Sequence, residues 1–190
     1  ERPMWYARKN QKAEYQYSFG YQNWYESAEF ETTHARKYVA LFELTPFSKF
    51  EMKGTNAHEA LQYLCANNIK DTEGNTTYTQ MLNPNGGIEA DLTVTCIEKN
   101  FFRVVSGAAV RSHDKKHILN NLKYDVEFSD ITENFACLGL FGPKSRDLLT
   151  DLAGDKFNTE QFPFGSGKFL TVEGISIWFQ RLSYVGELGW

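Results

Sequence analysis

The sequence predicts an α+β fold in which antiparallel hairpins pack against a few helices. Two pairs of strand-like segments are each joined by residues typical of a tight turn, at residues 83–87 and 173–174. Segments with helical periodicity stand singly between these pairs, rather than alternating with single strands as the helices of a parallel sheet do. The chain therefore favours largely antiparallel strand pairing.

Residues 1–30 combine many aromatic rings with a balanced charge. Four basic side chains cancel four acidic ones, so a basic groove for stacking single-stranded nucleic acid is not favoured. We expect an aromatic-rich arm whose rings pack on a neighbouring domain, followed by a second domain over residues 31–190. The rings are Trp5, Tyr6, Tyr15, Tyr17, Phe19, Tyr21, Trp24, Tyr25 and Phe30.

The first half of the second domain contains two helical segments and a hairpin. Residues 34–44 are predicted to pass from a helix into a strand that ends near Pro46. Residues 56–59 have the Asn-x-x-Glu pattern of a capping box, and helical apolar spacing follows. Residues 76–82 and 88–97 flank the first turn and are predicted to form a hairpin.

The second half is predicted to contain five short strands and two helices. In the first of these helices, the apolar spacing predicts that Ile118, Leu119 and Leu122 face inward. Pro143 suits the start of the second helix, because the first turn tolerates its missing N–H. The predicted elements are residues 101–105, 114–122, 124–128, 135–141, 144–152, 169–172 and 175–182.

Composition and charge exclude several classes of protein. Of 190 residues 42% are apolar, which is enough to form a packed core. The net charge of −4 argues against a general nucleic-acid binder or a protein of anionic membrane surfaces, since both need a positive field. No apolar run reaches the roughly 18 residues of a membrane span. We therefore expect neither nucleic acid nor membrane as a partner.

The three cysteines, Cys65, Cys96 and Cys137, are far apart, odd in number and flanked by apolar or small residues. This pattern indicates free thiols in a reducing compartment rather than a disulfide framework. The bacterial cytoplasm and the mitochondrial matrix both agree with it.

Several motif-like segments do not meet their chemical requirements. Residues 139–145 resemble a phosphate-binding loop, but its glycines are too close together and Pro143 separates the second glycine from the lysine. His113 and His117 have the spacing of zinc ligands, yet Asp114 and two lysines lie between them, so we interpret them as a solvated helix face. We expect no metal site.

Residue parity in the predicted strand 88–97 separates an apolar face from a polar one. Asp91 is predicted to lie on the polar face, beyond a Gly-Gly turn that lets other groups approach closely. Parity alone leaves both a catalytic carboxylate and an ordinary solvent-facing one open. The apolar set is Ile88, Ala90, Leu92, Val94 and Cys96, and the polar set is Glu89, Asp91, Thr93 and Thr95.

Sequence blocks in one consistent order carry a resemblance to a known family. Residues 78–94 read Tyr-Thr-Gln-Met-Leu-Asn-Pro-Asn-Gly-Gly-Ile-Glu-Ala-Asp-Leu-Thr-Val. Further matches lie at residues 1–6 and 23–26, at Arg36, residues 50–54 and Ala57, and at residues 138–144 and 181–190. The chain resembles the glycine-cleavage T-protein (aminomethyltransferase) family, and most closely the folate-binding part of the dimethylglycine and sarcosine dehydrogenases. The resemblance implies an aminomethyltransferase folate-binding domain over residues 31–190, whose C-terminal lobe is missing from this chain, and a flavin domain upstream.

The same resemblance implies tetrahydrofolate-dependent one-carbon transfer. The carbon would come from an oxidised N-methyl group of a small amine donor, of the dimethylglycine or sarcosine type, and would form 5,10-methylenetetrahydrofolate. FAD is expected only in a domain outside this chain, and that flavin domain would be the partner, in the same polypeptide or complex.

The family pattern also implies residue roles. Asp91 would lie beside N5 and N10 of the folate, where it would orient the donor and stabilise cationic amine species. Tyr78 and Tyr184 match positions that line the folate. Leu92 and Thr93 adjoin Asp91 and are expected to touch the pterin or the linker beyond it.

Two other functions agree with the sequence. One is a glycine-cleavage aminomethyltransferase that acts with a lipoyl carrier, or a related folate-dependent demethylase. The other is a non-catalytic folate-binding or scaffold module, which Gly107 and Glu43 favour because the family usually has asparagine and aspartate there.

Overall fold

The computed structural model describes residues 5–190 of the chain, with four α-helices and nine strands in that range. The helices are α1 (Tyr25–Lys37), α2 (Ala57–Leu64), α3 (Arg111–Asn121) and α4 (Ser145–Ala153). The strands are β1 (Ala40–Glu43), β2 (Ser48–Lys53), β3 (Thr76–Leu82), β4 (Ile88–Glu98), β5 (Phe101–Ser106), β6 (Glu127–Asp130), β7 (Leu138–Phe141), β8 (Gly167–Val172) and β9 (Ile175–Gln180).

A five-stranded sheet in the order β3-β4-β5-β2-β6 forms the centre of the fold. Every neighbouring pair in it is antiparallel. Two separate ribbons, β1–β7 and β8–β9, are also antiparallel. The α+β fold class with antiparallel hairpins is confirmed.

One face of the central sheet packs against α2 and α3 and forms the main hydrophobic core. The apolar residues of α2 follow the spacing i, i+3, i+4, i+7, so the helix turns one stripe towards the sheet. In α3, Ile118 is fully buried and Leu122 packs against the same core, as predicted. The prediction for Leu119 was wrong: its side chain is 48% exposed, because α3 presents only a narrow stripe to the sheet.

A second, smaller core lies between α4 and the β8–β9 hairpin. Phe157 and Phe162 are fully buried there, and Trp190 packs edge-on against both rings. Trp190 also pairs with Leu140 of β7 through two backbone hydrogen bonds. Strand β7, α4 and the hairpin therefore share this second core.

Several predicted boundaries differ from the structure. Helix α1 begins at Tyr25 rather than near residue 34, because it buries only Ser27 and has no apolar stripe to mark it. Strands β6 and β7 are shorter than predicted. Asn56 stands at the N-cap of α2 but makes no side-chain cap hydrogen bond, so the expected capping box is absent.

The arm predicted over residues 1–30 includes residues 1–4, which lie outside the described residues together with most of the first resemblance block. Within the described part, Tyr15 and Tyr17 pack against the buried ring of Trp24. Other rings of the arm, such as Phe19, are exposed. Because α1 crosses residue 30, the proposed division into an arm and a domain stays a prediction.

The cysteines are free, as predicted, with Cys65 and Cys96 buried and Cys137 half-buried. Burial raises the pKa of the Cys65 thiol to about 12. Between residues 5 and 190, every helix is too short or too polar to cross a membrane.

An ion-pair cluster attaches α3 to the edge strand β6. Arg111 donates to both oxygens of Asp130 at 3.0 Å, and the Thr132 hydroxyl donates to the same carboxylate at 2.8 Å. Burial alone would raise the pKa of Asp130, but these hydrogen bonds outweigh it and lower the pKa to about 2. The carboxylate therefore stabilises the fold while it remains ionised.

We predict that Asp130→Asn lowers the free energy of unfolding at pH 7 by roughly 1–2 kcal/mol. Because the folded-state pKa is depressed, this contribution is complete above the unfolded pKa of about 3.9 and is lost as the pH falls towards 2. Urea unfolding at several pH values should show the two proteins converging in acid, while Asp155→Asn, an exposed control, changes little. A deficit of equal size at pH 7 and at low pH would contradict the account.

Candidate functional site

Asp91 lies on the polar face of β4, on the side opposite the main core. It is exposed, and Gln80 stands directly across from it on β3. The Gln80 side-chain amide donates to Asp91 Oδ1 at 3.5 Å. Hydrogen bonding of the Tyr78 phenol towards Asp91, followed by partial burial and the negative charge of Asp91, raises the pKa of Tyr78, so the phenol and the carboxylate are electrostatically linked.

The turn between β3 and β4 holds this register. The Asn83 side-chain oxygen accepts hydrogen bonds from the backbone N–H groups of Asn85 at 3.0 Å and Gly87 at 2.9 Å. Gly86 has a φ of 81°, a conformation that residues with a side chain rarely adopt. Asn83 also donates to Glu89 at 2.9 Å, so the turn is attached to the beginning of β4.

The polar face of the sheet is covered at one end and open at the other. Towards the covered end, Thr76 and Thr95 are buried under the β8–β9 hairpin. Towards the open end, Tyr78 is 59% exposed and Asp91 is exposed beside it. The candidate site is therefore the open end of this face.

Tyr184 belongs to the segment 181–188 that follows the hairpin. The Glu187 carboxylate accepts the backbone N–H of Tyr184 at 3.2 Å and of Val185 at 3.0 Å, which fixes the turn. The Tyr184 ring is 98% exposed, and its phenol is the last of several groups that raise the pKa of Tyr78. A cavity of about 300 Å³ lies along the same segment, between Phe164, Arg181 and Gly189.

The structure brings four of the five predicted site residues to one side of the sheet. Tyr78 and Thr93 are direct cross-strand partners, and Asp91 is two residues from Thr93. Tyr184 follows the hairpin that covers the same face of the sheet. Leu92 is the exception, because strand parity turns its side chain into the main core, where it is 3% exposed. The expectation that this side chain touches a ligand on the Asp91 face is therefore corrected.

Sequence reasoning missed Gln180, which links the hairpin to the polar face. Its side-chain amide donates to the hydroxyls of Thr76 at 2.7 Å and Thr95 at 2.8 Å. The sequence indicated only that Thr95 lies on the polar face of its strand, where a hydrogen-bond partner could reach it. A glutamine at the end of a strand forms no pattern from which this contact could be predicted.

His113 is exposed on α3, which agrees with the predicted solvated face, and it lies between two carboxylates. Its Nδ1 is 3.1 Å from Asp114 Oδ1, and its Nε2 is 3.3 Å from Glu89 Oε2. The Asp114 hydrogen bond is the main reason that the pKa of His113 is raised. Among residues 5–190, no three His, Cys, Asp or Glu side chains are grouped so that they could hold a metal ion.

We predict that Asp91→Asn lowers the pKa of Tyr78 towards its ordinary value, because the amide removes both the charge and the strong acceptor. Carbon-13 NMR of ring-labelled tyrosine, assigned with Tyr78→Phe, would follow the titration. Asp151→Asn on the exposed side of α4 is the control. An unchanged Tyr78 titration in Asp91→Asn would contradict the hydrogen bond between them.

Comparison with known proteins gives concordant matches. The chain is 35% identical to human dimethylglycine dehydrogenase, a mitochondrial protein, over 193 residues that cover 100% of this chain and 22% of that protein. It is 30% identical to an aminomethyltransferase of Caldanaerobacter subterraneus, covering 87% of this chain and 44% of the other. The chain thus spans about a fifth of the dehydrogenase and under half of the transferase.

The fold also matches a solved structure. The glycine cleavage system aminomethyltransferase T of Bartonella henselae superposes with a TM-score of 0.75 at 22% identity, over 93% of this chain and 48% of that one. At this identity the match establishes the fold. The family model described as the GCVT N-terminal domain matches residues 1–190, the whole chain. The family that the sequence blocks resemble is thereby confirmed, and the chain belongs to the GCVT N-terminal domain family.

Proposed function

We propose that this chain carries out tetrahydrofolate-dependent one-carbon transfer, accepting the carbon from an oxidised N-methyl group of the dimethylglycine or sarcosine type. The observation that carries the proposal is the Tyr78–Asp91 pair on the open end of a polar sheet face, with Tyr184 beside it. The similarity to a dimethylglycine dehydrogenase over the full chain supports the choice of donor class.

The residues at the open end suit a folate. The rings of Tyr78 and Tyr184 are exposed and offer apolar surface against which a flat heterocycle packs well. Thr93, across from Tyr78, adds a hydroxyl. We assign the folate-contacting role to Tyr78, Thr93 and Tyr184.

Asp91 has a charge free for a ligand. In the described range of the chain, 5–190, no lysine, arginine or histidine forms a salt bridge with it. The oxidised donor carries a positive nitrogen, and a carboxylate stabilises such a charge more strongly when the bound ligands exclude water. Gln80 and Tyr78, the polar neighbours of Asp91 on β3, leave this charge without a cationic partner.

The transfer also requires proton movement. Tetrahydrofolate is the acceptor substrate and supplies two nucleophilic nitrogens, N5 and N10. The donor carbon forms a bond to each nitrogen in place of its hydrogen, while the bond to the donor nitrogen breaks. The released amine takes one of the two protons, and Asp91 is placed to pass the other to solvent.

The oxidation that generates the donor needs a flavin, which we assign to a domain or partner outside this chain. We therefore propose no FAD-binding residue in this chain. The compartment we propose is the mitochondrial matrix or a bacterial cytoplasm.

The relative from Caldanaerobacter supports a second candidate, an aminomethyltransferase that takes the carbon from a carrier. A flavin domain in the full-length gene would favour the first proposal over the second.

We predict that Asp91→Asn in the full-length protein lowers formation of 5,10-methylenetetrahydrofolate by about 100-fold or more, with folate affinity within about threefold. Amine oxidation should continue and release formaldehyde instead. Coupled assays of both products, with calorimetry for folate, would measure the split, and Asp151→Asn is the matched control. Carbon transfer at the wild-type rate by Asp91→Asn would contradict the catalytic role of Asp91. Loss of carbon transfer with retained folate binding would exclude the non-catalytic scaffold function.

We also predict that Tyr184→Ala weakens tetrahydrofolate binding by about tenfold, since it removes one exposed ring of the proposed site. Calorimetric titration measures this change. A folded protein that binds no folate, even before mutation, would reduce the proposal to a statement about fold.

A further inference from the structure

Gln180 lies in a fully bonded polar cluster between the β8–β9 hairpin and the central sheet. Its Nε2 donates to Thr76 Oγ1 at 2.7 Å and to Thr95 Oγ1 at 2.8 Å, and the two hydroxyl oxygens are 3.0 Å apart. The Trp178 indole N–H donates to Gln180 Oε1 at 3.2 Å. Since an indole nitrogen only donates, this contact fixes which end of the amide faces the threonines.

Backbone bonds attach the same hairpin to the start of β3. The N–H of Gly167 donates to the carbonyl of Gly74 at 2.7 Å, and the N–H of Thr76 donates to the carbonyl of Gly165 at 2.9 Å. These bonds hold the base of the hairpin where β8 begins. Gln180, directly across from Gly167, supplies the side-chain bonds from β9 that reach both β3 and β4.

The cluster touches each piece of chain that carries a candidate site residue. Thr76 is two residues before Tyr78 on β3, and Thr95 is four residues after Asp91 on β4, so each pair shares a strand face. Gln180 immediately precedes the segment 181–188, which carries Tyr184. The distance from Thr95 to Asp91 is about 14 Å at the usual strand rise, so the cluster lies outside the site itself.

We propose that Gln180 is a positioning residue that sets the location of Tyr184 relative to the Tyr78–Asp91 pair. A half-buried amide with its donors and acceptor bonded specifies one geometry, whereas an apolar contact tolerates sliding. If Gln180 is removed, Thr76 and Thr95 still bond to each other and the backbone bonds at Gly165 and Gly167 remain, so the fold survives. The hairpin then loses the side-chain bonds that fix the end of β9, from which the segment 181–188 continues. The ligand-binding consequence rests on the proposed function, and the structural consequence does not.

The test compares Gln180→Met with wild type in the full-length protein, with Gln161→Met, an exposed glutamine before β8, as the control. We expect the KM for tetrahydrofolate to rise about tenfold while kcat changes less than about threefold, because the binding geometry and not the reacting carboxylate is altered. Gln180→Glu still accepts from the indole, but it can only accept from the two hydroxyls, which must then give up the bond to each other, so it should recover only part of the loss. Trp178→Phe, which removes one bond, should have an intermediate effect.

A double-mutant cycle separates positioning from general destabilisation. Tyr184→Ala should raise KM about tenfold in wild type but only about twofold in Gln180→Met, because Tyr184 is already misplaced there. Independent effects of the two substitutions would overturn the proposal. An unchanged KM for tetrahydrofolate in Gln180→Met would also overturn the proposal.

Hydrogen exchange provides a readout that needs no folate. Amides of residues 181–188 should exchange faster in Gln180→Met than in Gln161→Met, and unchanged protection would contradict the proposal. If wild-type protein binds no folate, the proposed function fails, but this exchange comparison still decides the role of Gln180.

Discussion

The antiparallel register between β3 and β4 is the constraint on which the candidate site depends. Strand side chains alternate between faces, so one register sends Leu92 and Val94 into the core and displays Asp91 opposite Gln80. A slip of one residue would bury the Asp91 carboxylate and expose Leu92. Burial of the apolar set and the Asn83-centred turn both oppose that slip. The forces that fold the hairpin therefore also place the carboxylate.

The site joins two parts that have separate hydrophobic cores. The central sheet, with α2 and α3, provides Asp91 and Tyr78, while the smaller core under the β8–β9 hairpin supports the segment with Tyr184. Apolar packing within each core does not define their relative position closely, because it is not directional. Hydrogen bonds do define it, through the backbone at Gly167 and through the amide of Gln180. Polar contacts thus set the geometry of a site whose stability comes from apolar burial.

Local patterns in the sequence predict the parts of this arrangement that are local in origin. The β3–β4 hairpin, its turn and the face on which Asp91 lies follow from alternation and turn residues. Most of helix α1 was not predicted, because it buries only Ser27 and so has no apolar face in its sequence. Leu119 was wrongly assigned to the core, because tertiary packing decides which residues of an apolar helix face are buried. The Gln180 contacts join residues 85 or more positions apart, which no local pattern encodes.

Hydrogen exchange with and without a non-reactive folate, such as 5-formyltetrahydrofolate, would test the central claim most directly. If the open end of the polar face is the folate site, saturating ligand should slow exchange in residues 76–93 and 181–188 together. Protection of only one of these segments would mean that they do not form one site. Saturable binding with protection confined to α1, or to the β1–β7 ribbon, would contradict the account.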